Sequence, residues 1–207
     1  MRKAMTAFCA AIALIAGTDV HAGAPRLRYG LEWGCAAAFY QSRDINYITH
    51  EGYRVDDDYK GLSFEGNGHV MAEMGINLTD RFAVSVYGGY AGLSEGNRVF
   101  PVLLRASLFP EGMTEDGLFC FAEAGPGFHS STPSTTTLPA AIIANAGGGY
   151  HIALSRSIGL DFELSLRGAF DHKLIKDADT GDWVPDADVR RNSTRTYALC
   201  LSIGLSF

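Results

Sequence analysis

The sequence predicts an all-β fold, an eight-stranded antiparallel up-and-down transmembrane β-barrel, on three observations. Long stretches alternate between bulky apolar residues and small or polar ones, the period of a strand whose side chains point to opposite faces in turn. The connections between these stretches alternate between short and long. Charged residues recur inside the stretches on the face opposite the apolar one. The 207 residues are 47% hydrophobic and 19% charged, with 24 glycines, a composition suited to one barrel with close backbone approach. A net charge of −6 without a basic stripe excludes a nucleic-acid partner.

The chain opens on a secretory signal. Arg2 and Lys3 supply the positive start, "AMTAFCAAIALIAG" the apolar run, and Val20-His21-Ala22 a small-residue cleavage site. Residues 1–22 are therefore read as a signal peptide and 23–207 as the barrel domain. The run is shorter than the ~20 residues a membrane helix needs. Phe8 before Cys9 argues against a lipoprotein.

Eight segments follow in order. Leu27–Tyr40 sets Leu31, Trp33 and Cys35 against Arg28, Glu32, Ala36 and Ala38. Leu62–Leu78 sets Phe64, Val70 and Met74 against Glu65, Asn67, His69 and Glu73. Phe82–Leu93 sets Val84 and Val86 against Ser85 and Tyr87, and Val99–Phe109 sets Val102 and Leu104 against Arg105 and Ser107. Leu118–His129 is interrupted by Pro126; if Glu123 points inward, Phe119 and Phe121 do too. Ala140–Leu154 sets Ile142 and Tyr150 against Asn145 and His151. Ile158–Phe170 sets Phe162, Leu164 and Leu166 against Asp161, Glu163 and Arg167. Thr196–Phe207 closes the chain with Tyr197, Leu199, Leu201, Ile203, Leu205 and Phe207 on one face and Ala198, Cys200, Ser202, Gly204 and Ser206 on the other.

Segments of about 11 to 17 residues exceed the ~5–6 of a globular strand and suffice for the ~9–11 of a tilted membrane strand. Thr79-Asp80-Arg81 and Ser155-Arg156-Ser157 are the short connections, and Pro110–Gly117 is somewhat longer but rich in turn residues; Gln41–Gly61 and Asp171–Arg195 are long and polar, with Ser94–Arg98 and Ser130–Pro139 between them. Short turns on one side and long loops on the other put the loops outside the cell and both termini in the periplasm. Aromatics cluster where two interfacial girdles belong: Tyr29, Phe82, Tyr150 and Phe207 at one rim, Phe39, Tyr90, Phe100, Phe128, Phe170 and Tyr197 at the other.

Glu32, Glu65, Glu73, Arg105, Glu123, Asp161, Glu163 and Arg167 all fall on the inner face. Buried singly in a soluble β-sandwich, the competing fold, each would cost several kcal/mol. A polar barrel interior accommodates them as ion pairs, with Arg105 and Arg167 each expected to bridge two or more carboxylates. That cluster reads as a plug holding a narrow barrel together, with a narrow channel through the charged interior as the alternative.

The pattern, above all the closing Tyr197, Leu199, Leu201, Ile203, Leu205 and Phe207, resembles the small outer-membrane β-barrel proteins of Gram-negative bacteria, the OmpA/OmpX-like class. The resemblance implies a monomer in outer-membrane lipid, inserted by the barrel-assembly machinery that reads such a terminal strand. It implies no single activity, since members act as adhesins, envelope anchors, narrow channels or enzymes.

His129 and Ser131 form an H-x-S pair that resembles the His-Ser portion of outer-membrane lipid A deacylases, and makes a lipid-modifying enzyme the catalytic alternative. Such a pair needs a carboxylate to orient the histidine. The following segment offers none at that level, and His129 shares the inward parity of Glu123. Asp177, Asp179, Asp182 and Asp188 give a weak divalent-ion candidate, with Gly181 and Asp182 misplaced for a calcium loop and Asp188 where Glu belongs. No cofactor is expected. Cys35, Cys120 and Cys200 are odd in number and far apart, so no disulfide framework emerges. His69 and His151 read as packing histidines, while Tyr47, Tyr53, Tyr59 and Trp183 on the long loops are candidates for binding an extracellular ligand. The expectation is a non-enzymatic protein with a structural or surface-binding role.

Overall fold

The computed structural model describes residues 26–94, 97–130, 139–155, 157–177 and 179–207. The signal peptide and Ser131 lie outside the described residues. Eight strands, β1 (Arg26–Ile48), β2 (Arg54–Asn77), β3 (Phe82–Ser94), β4 (Asn97–Leu108), β5 (Gly117–His129), β6 (Ala141–Ala153), β7 (Gly159–Asp171) and β8 (Val189–Ser206), pair antiparallel with their sequence neighbours. β1 also pairs with β8, closing the barrel. Backbone bonds from Tyr29 N–H to the Phe207 carbonyl (3.1 Å) and back (2.7 Å) tie the terminal aromatic residue to the first strand. Closure pairs every strand of the ring on both sides, the condition a β-structure must meet to sit in lipid, while residues 54–68 of β2 pair with β1 alone.

The faces follow the predicted parity. Leu31, Val70, Val86, Leu104, Ile142, Leu164 and Leu201 are exposed on the outside, while Glu32, Glu73, Tyr87, Arg105, Glu123, Asp161, Glu163 and Arg167 are buried within. An apolar exterior around a charged interior inverts the arrangement of a soluble protein and fits a barrel bathed in lipid. Side-chain caps hold two short turns: Thr79 Oγ1 accepts from Phe82 N–H at 2.9 Å, and Ser155 Oγ from Ile158 N–H at 3.1 Å.

The structure corrects the reading of the first long loop. β1 has 23 residues and β2 has 24, and Gln41–Ile48 pairs along Arg54–Gly61. Only a tight turn joins them, with Gly52 in the left-handed region that favours glycine (φ 88°). β8 likewise starts at Val189, inside the second predicted loop, and pairs along the same extension of β1. At ~3.3 Å per residue these strands far outreach a ~30 Å hydrocarbon core, so their outer halves stand above the membrane. A register shift between Ala38 and Tyr40 turns the inward parity from Ala38 to Gln41 where the barrel passes into this extension.

A second, small core forms there. Ile45 and Tyr47 of β1 pack with Ile175 and Val184 of the loop between β7 and β8, and Val55 and Val189 flank them. Tyr47 is therefore buried rather than displayed, whereas Tyr53, Tyr59 and Trp183 are exposed.

Candidate functional site

The lumen is layered from the periplasmic end outward. Phe109, Phe119 and Phe121 form the first layer, with the Phe109 and Phe119 rings stacked at 5.1 Å and Met113 packed against them. Arg28 joins this layer to the next: its Nε donates to Glu73 at 2.8 Å and its Nη2 to Asp161 at 3.2 Å. Ser85 donates to the same Glu73 oxygen at 2.7 Å. His151 holds Asp161 at 2.6 Å through Nδ1 and donates from Nε2 to the Met113 carbonyl at 3.0 Å, tying the turn after β4 into the barrel floor.

Arg105 fills the middle. Its Nε donates to Glu123 at 2.6 Å, Nη1 to Glu163 at 3.0 Å and Nη2 to Glu32 at 2.8 Å. The guanidinium is stacked on Tyr87 (3.8 Å) and Phe121 (4.1 Å). Asn145 donates to the second oxygen of Glu123 at 3.0 Å, and His69 Nε2 lies 3.2 Å from Glu32 and 3.0 Å from Ser202. One side chain thus ties β1, β5 and β7 to β4 across the lumen. This is the bridging expected of Arg105, made to three carboxylates at once.

Arg167 does not bridge. It is buried, yet among the described residues it makes no hydrogen bond or ion pair, and its Nε and Nη1 are unpartnered. The physical reason is register. Arg167 pairs across to Asn145 on one side and Ala198 on the other, neither of them a carboxylate, and Glu123 and Glu163 are held by Arg105. Glu65 lies further out, where Ser63 donates to it at 2.9 Å. Parity placed both arginines inside, but parity carries no information on which carboxylate is within reach.

Toward the mouth, Met71, Tyr87, Ala91, Leu93, Val99, Leu103, Ala141, Ile143 and Ala169 build an apolar wall within the lumen. Small residues, Ala36, Ala38, Ala198 and Cys200, line β1 and β8. At the mouth, His129 Nε2 lies 3.0 Å from Asp171. The carboxylate sought for His129 in the segment after it comes instead from the far end of β7. Asn97 also donates to Asp171, as does the backbone N–H of His172 at 2.7 Å. Inward parity at the outer end of β7 was the available signal for Asp171. The pair faces the lumen rather than the lipid, so the geometry aims it away from an acyl chain in the bilayer.

Above the membrane, the acidic loop does not converge on an ion. Asp177 uses its carboxylate as a turn acceptor, taking N–H bonds from His50 at 2.7 Å and Asp179 at 2.8 Å. Those amides, Asp179 first and His50 next, hold its carboxyl below the ordinary aspartate value. Asp179 and Asp182 point to solvent, and Asp188 ends the short 3₁₀ turn Asp186–Asp188. Among the described residues no group of three or more potential ligands is brought together as a metal site.

Fold, oily exterior and charged interior define the class: an eight-stranded β-barrel of the outer-membrane type. No family model and no curated protein matches the chain. Among solved structures it is similar to the outer membrane protein OprG from Pseudomonas aeruginosa, at 12% identity over 91% of this chain and 99% of that one, with a TM-score of 0.47. It is also similar to Neisserial surface protein A, at 12% identity over 86% of this chain and 97% of that one (TM-score 0.41). A third likeness is to the outer membrane protease OmpT from Escherichia coli, at 8% identity over 87% and 96% of the two chains (TM-score 0.41).

Proposed function

We propose that this protein is a non-enzymatic outer-membrane barrel whose β1–β2–β8 extension presents a rigid extracellular binding surface. The observation that supports this is the second core above the membrane. Ile45, Tyr47, Ile175 and Val184 bury one another there, fixing the loop after β7 onto the paired strands. Ordering that loop costs conformational entropy for every residue fixed. A barrel needing only to span the membrane gains nothing from it. The surface so built carries exposed Tyr53, Tyr59 and Trp183 among paired charges, Arg191 with Asp44 and Asp56, Lys60 with Asp58, and Arg43 with Asp57. Rigid aromatics among polar groups are the composition of binding surfaces.

The lumen supports the same reading. Arg105 with its three carboxylates and two aromatic plates fills the middle, and the stacked phenylalanines close the floor. A narrow barrel filled this way serves as a support for its outer end.

The test replaces residues 43–60 by a two-residue hairpin turn, cutting away the extension while keeping the membrane strands. Vesicles carrying either protein are assayed against immobilised envelope glycans, matrix proteins and lipopolysaccharide. Binding by the full-length protein that disappears in the shortened one supports the reading. Equal binding by both, or none by the full-length protein, overturns it.

A further inference from the structure

On β2, β4 and β8 the first outward-facing charge beyond the lipid face is a cation. Phe100, Phe128 and Phe170 stand exposed at the outer end of that face, where aromatic side chains mark the headgroup level. Beyond Phe100 on β4 comes Arg98, beyond Tyr197 on β8 comes Arg195, and beyond Leu62 on β2 comes Lys60, each exposed. Two of these cations share one tier. Ser42 of β1 pairs with Arg195 on one side and with Lys60 on the other. The tier beneath is Tyr197, Tyr40 and Leu62, with the two tyrosine rings 6.0 Å apart. The tier above is Ser193, Asp44 and Asp58, so β1 meets its first outward charge only there.

Two strand spacings put the Arg195 and Lys60 backbones about 10 Å apart, so their long side chains can close on one anion above the Ser42 hydroxyl. Arg195 is braced by the Phe170 ring, 5.9 Å from its guanidinium, and makes no ion pair among the described residues. Lys60 donates to Asp58 at 3.1 Å, but both groups are more than half exposed, and such a pair is weak and readily exchanged. No carboxylate belongs to the tier itself. One step of about 7 Å above an aromatic belt is the level of lipid phosphates, and a basic cluster there is a headgroup site. The guanidinium fork matches a phosphate and the ammonium adds a point charge. Asp44 and Asp58 on the water side repel an anion and confine it to the level of Ser42. A soluble phosphate would use the cations alone, whereas the apolar tier beneath them is continuous with the lipid face and gives an acyl chain its bed.

We propose that the outer wall where β8, β1 and β2 leave the membrane binds a phosphate-bearing lipid of the outer leaflet. The phosphate lies between Arg195 and Lys60 and accepts from Ser42, and an acyl chain runs down over Tyr197, Tyr40 and Leu62. The site does not rest on the extracellular binding surface: removing its two cations leaves the exposed Tyr53 and Trp183 and the outer core of Ile45, Tyr47, Ile175 and Val184 in place.

The probe is lipid A carrying its phosphates, titrated into the refolded full-length barrel in detergent and counted by native mass spectrometry, with dephosphorylated lipid A and inorganic phosphate in parallel. Saturable binding is expected, weakened at least about tenfold when the phosphates are removed and equally in the double variant Arg195→Gln with Lys60→Gln, the loss of charged hydrogen-bond partners. Arg54→Gln with Arg190→Gln removes the same charge from exposed positions outside the tier and is expected to leave binding within about twofold. Heat-dependent gel mobility reports refolding of each variant. If the Arg195 and Lys60 variant does not refold, the comparison of the two lipids on the unsubstituted barrel decides. Absence of saturable binding, equal binding of the dephosphorylated lipid, or binding unchanged in the Arg195 and Lys60 variant overturns the proposal. An equal loss in the Arg54 and Arg190 variant overturns it too, since that marks general charge attraction. So does inorganic phosphate displacing lipid A at equal concentration, which marks a site for the free anion.

Discussion

Replacing Arg105 by methionine is the sharpest test of how this barrel is held together. The side chain volume is largely kept, so no large cavity opens, and what changes is charge. Glu123, Glu163 and Glu32, at 2.6, 3.0 and 2.8 Å from the guanidinium, lose their shared counter-ion. Removing one partner of a buried pair costs ~3–5 kcal/mol, because the other charge stays buried and uncompensated. Three stranded carboxylates do not triple that figure, since contributions of residues in one network are not additive and some protonate to escape. The cation also loses its stacking on Tyr87 and Phe121. A loss of ~4 kcal/mol, about a thousandfold in the folding equilibrium, is therefore expected. Urea unfolding in lipid vesicles, followed by tryptophan fluorescence and by heat-shifted gel mobility, measures it. A loss below ~1 kcal/mol, the value of an exposed pair, refutes the claim that Arg105 and its carboxylates are tightly coupled. Arg167→Met is the matched control. It is as buried but has no partner, so its replacement is expected to be neutral or stabilising.

Other outcomes follow from the same geometry. Leu164→Arg, on the lipid face of β7, is expected to destabilise by ~2–4 kcal/mol at bilayer mid-depth, and spin labels at Leu164 and Leu201 should meet lipid-soluble quenchers while labels at Glu163 and Ser202 do not. Planar-bilayer recordings are expected to show no steady conductance, and an open level gained only in Arg105→Ala would mark the Arg105 cluster as the barrier. Gly149→Ala should impair folding, because a Cβ there runs into the Phe162 carbonyl oxygen of the neighbouring strand; normal gel mobility would contradict this. Asp177 has its carboxyl held low, so its contribution is present above the ordinary aspartate value and lost as pH falls through the lowered one. Protease resistance of the loop after β7 should therefore persist from neutral pH to below pH ~4, where unperturbed aspartates titrate. Release between pH 6 and 5 would contradict it.

Most of the barrel was legible because lipid imposes a rule the sequence must obey residue by residue. Leu160, Phe162, Leu164 and Leu166 can alternate with Asp161, Glu163, Ser165 and Arg167 only if one face meets oil and the other does not. The pairing inside was less legible. Parity said that Glu123 and Arg167 share a compartment; it could not say that Asn145 stands between them in the register. Asp171 escaped for a related reason. Its partner His129 is more than forty positions away in sequence, and only ring closure with its stagger brings the ends of β5 and β7 to one mouth. Tyr87 and Phe121 look like ordinary strand aromatics until a guanidinium is found against both.

The extension was misread where the rule itself stops. From Ile45 to Tyr47 three consecutive residues are buried, which no two-faced strand between oil and lumen would show. Above the membrane a strand has water on its open face and packs against whatever a nearby loop provides, here Ile175 and Val184. Alternation fades for that reason, and a segment rich in Asp and Tyr reads as a loop although its β1 half is paired on both sides and its β2 half with β1. The same loss of constraint bears on function. Within the membrane, side-chain choice is governed by bilayer and lumen, so a long β1–β2 hairpin offers the barrel nothing that a short one would not. Its length, its second core and its exposed Tyr53, Tyr59 and Trp183 need a cause outside the membrane. A partner contacting that surface is such a cause, and cutting back to residue 43 tests for it without disturbing the lumen beneath.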